Sequence, residues 1–516
     1  SGANNTGIGV QSLAANTTGA ENVALGSSAL GANTTGGGHT AVGANALKNT
    51  TGAQNTGFGN NALCANTSGQ CNTALGRNAL CANTTSLWNT AVGHSSMLSN
   101  TTGCSNSAVG LYSLFSNTTG NNNVAFGYES LLDNITGGAN VAVGRFSLRS
   151  NTTADSNTAL GYVSLYTNTT GAGNVAVGVS ALRYNTTASN NTAIGNAALC
   201  LNTTGTQNVA LGVAVKANTT ANNNIGIGYD ALCVNQTGNA NVAIGTDSLR
   251  NNTVANNTAI GYTALAANTT GTQNVALGSY ALDANTTADN NTAVGYVALS
   301  DNTTGHGNVA VGWHSGRRIT TGVGNIAVGC CVLPYLTTGS LNTAVGEGAM
   351  ICTTGSSNTA FGNGAGYNIS TGNGNVVIGR DAGRGGFSPF GITTESNRIV
   401  IGTDDMTNAY IQVAWTVTSD QRDKTNFGTV PHGLDFVNKL EPVSFQFKKS
   451  REDDTPHGNK RYGFKAQDIL ALEGDDNVII DTEQPDKLKY QGEALVPVLV
   501  NAIKELTKRI KDLEDK

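Results

Sequence analysis

The chain has 516 residues, a net charge of −5 and 12% charged side chains, so its charge balance gives no reason to expect a nucleic-acid partner. Aromatics make up 6% of it against 66 glycines, which excludes a thick globular interior over most of the length and leaves a narrow core of Ala, Val, Leu and Ile. No apolar run approaches a membrane span, so no membrane insertion is expected.

A 17-residue unit recurs from the first residues to about residue 402. Its core is Asn-(Thr/Val)-Ala-(Val/Leu/Ile)-Gly, as in Asn22-Val23-Ala24-Leu25-Gly26 and Asn191-Thr192-Ala193-Ile194-Gly195. A period near 20 marks stacked supersecondary units, none of which can bury its apolar face alone. Five alternating residues ending in Gly predict one short strand per unit. The x-x-Ala-Leu step that follows, such as Ser28-Ala29-Leu30, predicts one helical turn or a second short strand. Stacking at strand spacing gives a shaft on the order of 100 Å long. The predicted fold class is mostly β: a β-solenoid or β-roll over 1–402, a neck over 403–418, and an α+β domain over 419–516. A narrow core buries little per coil, so association along the axis into a homotrimer is expected, although the repeat alone also fits a single-chain solenoid.

Asn-x-Ser/Thr closes most coils, at Asn16, Asn33, Asn49, Asn66, Asn83, Asn100, Asn117, Asn134, Asn151, Asn168, Asn185, Asn202, Asn218, Asn235, Asn251, Asn268, Asn285 and Asn302. That pattern is the N-glycosylation acceptor. It is equally a turn signal, because Asn and Thr side chains bond nearby backbone. Later coils keep Thr320-Thr321-Gly322 and Thr337-Thr338-Gly339 without the Asn, which speaks for the turn. Thr ladders on flat solenoid faces can also bind ice, but Thr pairs beside Gly in a turn fit that poorly.

Composition changes near residue 419. Residues 420–516 hold 19 acidic and 16 basic side chains, against 14 and 12 in residues 1–418. The tail ends in a predicted helix over 493–516, in which Leu499, Ile503, Leu506, Ile510 and Leu513 are spaced 4, 3, 4, 3. This is the rhythm of a coiled-coil seam, or of an amphipathic helix lying on its own domain.

Four blocks in the tail carry a family resemblance: Ser419-Asp420-Gln421-Arg422-Asp423-Lys424, the Gly433–Phe445 stretch, Tyr462–Ile469 and Leu495–Leu506. In this order they resemble the peptidase S74 intramolecular chaperone domain found at the C-termini of phage tail fibres and tailspikes. The resemblance implies a trimeric chaperone that sets the register of three chains, nucleates the shaft and then cuts itself off. It implies Ser419 as nucleophile and Lys424 as its base, with Asp420 and Arg422 orienting the loop and the scissile bond adjoining Ser419. A Ser hydroxyl needs such a neighbour to take its proton. The shaft's Asn-Ala-Val-Gly phrases are also similar to head repeats of trimeric autotransporter adhesins, which supports a trimeric roll.

Nine Cys form no metal-type grouping, and the six His form no cluster, so no metal and no cofactor are expected. Cys64 and Cys81 share one repeat position and can meet as a disulfide or as two apolar thiols. The expected protein is a fibre or adhesin of a virion or cell surface, with a host-surface glycan or protein as receptor. Its one expected enzymatic activity is self-cleavage. A polysaccharide-degrading tailspike and a receptor-free glycosylated filament are the alternatives.

Overall fold

The computed structural model describes residues 2–412, 418–448, 451–475 and 477–516. Part of the expected neck (413–417), and residues 449, 450 and 476 of the tail, lie outside the described residues. The solenoid is present, with 24 parallel strands of three residues each, β1 (Thr6–Ile8) to β24 (Ile399–Ile401). By its contacts the chain divides into two compact units, residues up to 342 and residues 343–516. The last four coils therefore group with the tail, earlier than the composition change near 419.

In the first unit, β1 to β20 (Ile326–Val328) stack in strict register. Thr158, Ala159 and Leu160 pair with Val175, Ala176 and Val177, and the pattern repeats coil after coil. The central Ala points inward and is fully buried at Ala41, Ala74, Ala108, Ala142 and onward. Small side chains are required there because the opposite wall of the coil is close. At strand spacing, twenty strands span about 90 Å.

The step after the glycine is neither a helical turn nor a strand, which corrects the sequence expectation. It is a double turn with two left-handed residues, as at Ser28 (φ 58°) and Leu30 (φ 50°), and it recurs at Leu47, Leu114, Leu182 and Leu299. A left-handed Leu costs about 1–2 kcal/mol. The same leucines are completely buried, which returns about 2 kcal/mol each. The conformation persists because it drives a large side chain into the centre of every coil.

Glycine ends each strand for a steric reason. Gly161 sits at φ 140°, and a Cβ there would lie 2.5 Å from the carbonyl oxygen of Gly178 in the next coil.

Two Asn columns complete the interior. Asn174 Oδ1 accepts the backbone N–H of Asn191 at 3.0 Å, and Asn191 Oδ1 accepts that of Asn208. In the second column, Asn117 Nδ2 donates to Asn100 Oδ1 at 2.7 Å and to the Gly120 carbonyl at 3.0 Å. Most buried amide groups are thereby satisfied along the stack, the oxygens of Asn218 and Asn302 being exceptions.

The second unit continues with β21 (Thr343–Val345), β22 (Thr359–Phe361), β23 (Val376–Ile378) and β24. Then come a one-turn α1 (Leu434–Val437), the antiparallel pair β25 (Val443–Lys448) and β26 (Pro456–Gly463), and α2 (Ala466–Glu473). A short pair, β27 (Ile480–Asp481) and β28 (Lys489–Tyr490), precedes the long α3 (Gly492–Glu514). Phe436, Ile469, Ile479, Ile480, Leu495 and Val498 form its small core. Glu473 reinforces that core by accepting the backbone N–H groups of Val478, Ile479 and Ile480.

Candidate functional site

The candidate cleavage residues come together at the start of the tail. Asp420 caps a single 3-10 turn, Gln421–Asp423, by accepting the Arg422 backbone N–H at 2.8 Å. That turn brings Lys424 back over Ser419, and the Lys424 Nζ donates to the Ser419 Oγ at 2.5 Å. Arg422 grips the Asp420 carboxylate through Nε at 3.1 Å and through a terminal nitrogen at 2.5 Å. The guanidinium of Arg422 holds the Asp420 carboxyl below the usual carboxylate range. The spacing of five in sequence is thus a hydrogen-bonded pair in space, braced by an ion pair.

Ser419 and Lys424 are both exposed in the single chain. An amine serves as a base only in its neutral form, and burial is what favours that form. Among the described residues, nothing covers the pair.

The apolar residues of α3 fall into two sets. Leu495, Val498 and Ala502 face the domain core and are buried. Leu499, Ile503, Leu506, Ile510 and Leu513 all stand exposed, Ile503 at 63% and Leu513 at 69%. The buried residues end at Ala502, and from Ile503 onward every residue is exposed, so the domain leaves the apolar stripe of the second half of the helix uncovered.

The Asn-x-Ser/Thr row is corrected at most positions. Asn33, Asn66, Asn83, Asn100, Asn117, Asn134, Asn151, Asn168, Asn185, Asn202, Asn218, Asn235, Asn268, Asn285 and Asn302 are fully buried, with their amides turned into the coil. A glycan bonded to those nitrogens does not fit the folded stack. Ile319, Leu336 and Ile369 take the same interior place in later coils, which shows what the position demands. Asn16, in the end coil, is half-exposed, while Asn49 and Asn251 lie outside the column and are exposed. In Asn49's coil, Thr50 fills the column instead and accepts from Asn66 at 2.8 Å. The Thr that follows many of the column residues is spent on the stack, as where Thr101 Oγ1 donates to the Thr118 carbonyl at 3.0 Å.

Cys64 and Cys81 meet as expected, with sulfurs 2.7 Å apart and both thiols free. Their shared hydrogen bond lowers Cys64 to about 7 and pushes Cys81 up. Sequence reasoning missed the aromatic side chains that line up on successive coils, such as Tyr262, Tyr280 and Tyr296, with ring centroids 5.3 and 6.0 Å apart. The signal was available, because each lies one or two places after its coil's glycine.

Among the described residues, no helix is long and apolar enough to cross a membrane. Nor does any group of three His, Cys, Asp or Glu among them stand ready to hold a metal.

A parallel β-solenoid followed in the chain by a small α+β domain that begins with a Ser-Lys pair fits a structural protein of the tail-fibre or tailspike kind. Residues 419–478 match the peptidase S74 family model, the chaperone of endosialidase, in agreement with the resemblance read from the sequence. No curated protein and no solved structure matches the chain.

Proposed function

We propose that the chain forms a trimeric attachment fibre whose tail aligns three chains, starts shaft folding and then cleaves itself beside Ser419. The observation that carries this reading is the outward face of the strands. In all twenty strands of the first unit the third residue is Val, Leu, Ile or Phe, and none of these is buried. The first residue is Thr, Val, Ile or Ser, so no charge falls on this face. An uninterrupted uncharged stripe of that length exposes on the order of 1,000 Å² per chain, comparable with one side of a standard-size interface. Another copy with the same repeat is the partner that can match it coil for coil.

The chaperone role follows from register. Near-identical coils permit slips by whole units, and closing non-local contacts is slow. A compact domain that trimerises first removes both problems. The test is light scattering on full-length Ser419→Ala protein, which keeps the tail attached. Three chains per particle is the expected mass, and one chain per particle overturns the reading.

A further inference from the structure

Between residues 262 and 314 the shaft carries aromatic side chains that its coil geometry does not require. Tyr262, Tyr296 and Trp313 follow their coil's glycine directly, and Tyr280 and His314 come one place later. Other coils put Ser27, Asn60 or Asn196 at the first of these places and Ser28, Asn61 or Ser180 at the second. The rings form one continuous row. Tyr262 meets Tyr280 at 5.3 Å, Tyr280 meets Tyr296 at 6.0 Å, Tyr296 meets His314 at 6.1 Å, and Trp313 stacks on His314 at 3.8 Å. They remain open to solvent, Tyr296 and Trp313 each by 49%.

A second, independent feature lies beside them. Thr263 Oγ1, Asp283 Oδ1 and Arg317 Nε are buried atoms without a hydrogen-bond partner. Thr263 adjoins Tyr262 in the chain. Asp283 stands three places after Tyr280, and Arg317 three after His314. That offset sets neighbouring columns, since it places the Phe115 ring 5.5 Å from Tyr112. Leaving such groups unpaired costs about 1–3 kcal/mol each, so a water or a ligand hydroxyl that reached them would be held.

An earlier aromatic run makes the contrast. There the Arg145 guanidinium covers the Phe146 and Tyr128 rings at 4.5 and 5.5 Å, and Arg149 bonds Glu129 at 2.8 Å. That run covers its rings with its own guanidinium, whereas among the described residues no cation lies over the rings of the later row.

A pyranose offers an apolar C–H face and a rim of hydroxyls that both donate and accept. Aromatic rings flanked by one unpaired donor and one unpaired acceptor are the complement of that pattern. We propose that the row Tyr262, Tyr280, Tyr296 and Trp313 binds a neutral oligosaccharide laid along the shaft, with its hydroxyls bonded to Asp283 and Arg317. The proposal rests on the reading of the chain as an attachment fibre, and it names the chemistry to which the fibre attaches.

The test is calorimetric titration of the full-length protein with linear neutral oligosaccharides of glucose, galactose, mannose and N-acetylglucosamine. At least one is expected to bind and to quench Trp313 fluorescence. The double variant Tyr280→Ser, Tyr296→Asn installs residues that sister coils already carry, so the coil is expected to survive, as judged by unchanged circular dichroism. It should weaken binding about tenfold or more, whereas Tyr128→Asn in the self-paired run should not. Failure of the whole panel to bind, or undiminished binding by the double variant, overturns the proposal. Particle mass is read separately, so a single-chain particle that still binds sugar would remove the fibre reading and leave the site standing.

Discussion

The Lys424 amine donates to the Ser419 hydroxyl at 2.5 Å, across a single turn held by the Asp420–Arg422 ion pair. If this pair cuts the chain, denaturing mass analysis shows a C-terminal fragment beginning beside Ser419, which disappears in Ser419→Ala and in Lys424→Met. The fragment is also expected to stay bound until denatured. Lys487 bonds Asp404 at 3.1 Å and the Ser388 carbonyl at 2.5 Å, and Gln484 bonds the Gly391 carbonyl at 2.7 Å. These contacts join the two sides of the cut, so native chromatography should elute both pieces together. High salt weakens the ionic members and should promote release. An intact mass in both wild type and Ser419→Ala would mean that the pair does not cleave.

His39 occupies the Asn column, between Asn22 and Asn55. Its Nε2 donates to the Gly52 carbonyl at 2.6 Å and its Nδ1 accepts the Asn55 N–H at 3.2 Å, an arrangement open only to the neutral ring. Burial lowers its pKa in the folded state. The unfolded chain therefore takes up the proton first, so the stability from this residue is complete above about pH 6.5 and is lost as pH falls through that value. His39→Asn restores the residue used in neighbouring coils. It should narrow the difference in unfolding midpoint between pH 8 and pH 5, and an unchanged difference would discard this account.

The solenoid was legible because period, strand signature and terminal glycine all coincide in one short unit. The Ser419–Lys424 pair was legible only through the blocks around it, since five-residue spacing alone predicts no contact. Three features were hidden. Left-handed leucines such as Leu30 are visible only once stacking shows how burial offsets their strain. The Asn-x-Thr row looks like a surface motif because solvated turns and buried columns draw on the same residues. Its interior character was nonetheless written in Ile319, Leu336 and Ile369, apolar residues standing where a surface motif would not place them. The division at residue 342 reflects contacts between the last coils and the tail, and local composition carries no trace of those.

The glycine column offers a graded test of stacking. Gly161→Ala places a Cβ 2.5 Å from the Gly178 oxygen at φ 140°, while at Gly212 (φ 90°) the nearest atom lies 3.4 Å away. Strain plus backbone clash should cost Gly161→Ala about 3 kcal/mol or more. Gly212→Ala keeps the unfavourable φ but lacks the clash, so it should cost roughly half as much. Amide hydrogen exchange in the adjoining coils reads both. Equal effects would show that backbone conformation alone, and not the approach of the next coil, fixes glycine here.

The outer face of α3 decides between one chain and three. Ile503 and Ile510 are 63% and 47% exposed and lie in the half of α3 that follows the buried Leu495, Val498 and Ala502. In a lone domain, replacing them with Asp alters only solvated positions and should change stability by about 0.5 kcal/mol or less. In a trimer the same changes place three charges on a shared apolar axis, which costs several kcal/mol. Ile503→Asp with Ile510→Asp is thus expected to reduce the particle to single chains while the tail keeps its helical signal. If the exposed Lys424 is covered by a neighbouring chain in the trimer, the same variant should also abolish the Ser419 fragment. Loss of the trimer with cleavage intact would place the chemistry within one chain. A wild-type particle that is already a single chain would leave this face without its proposed partner.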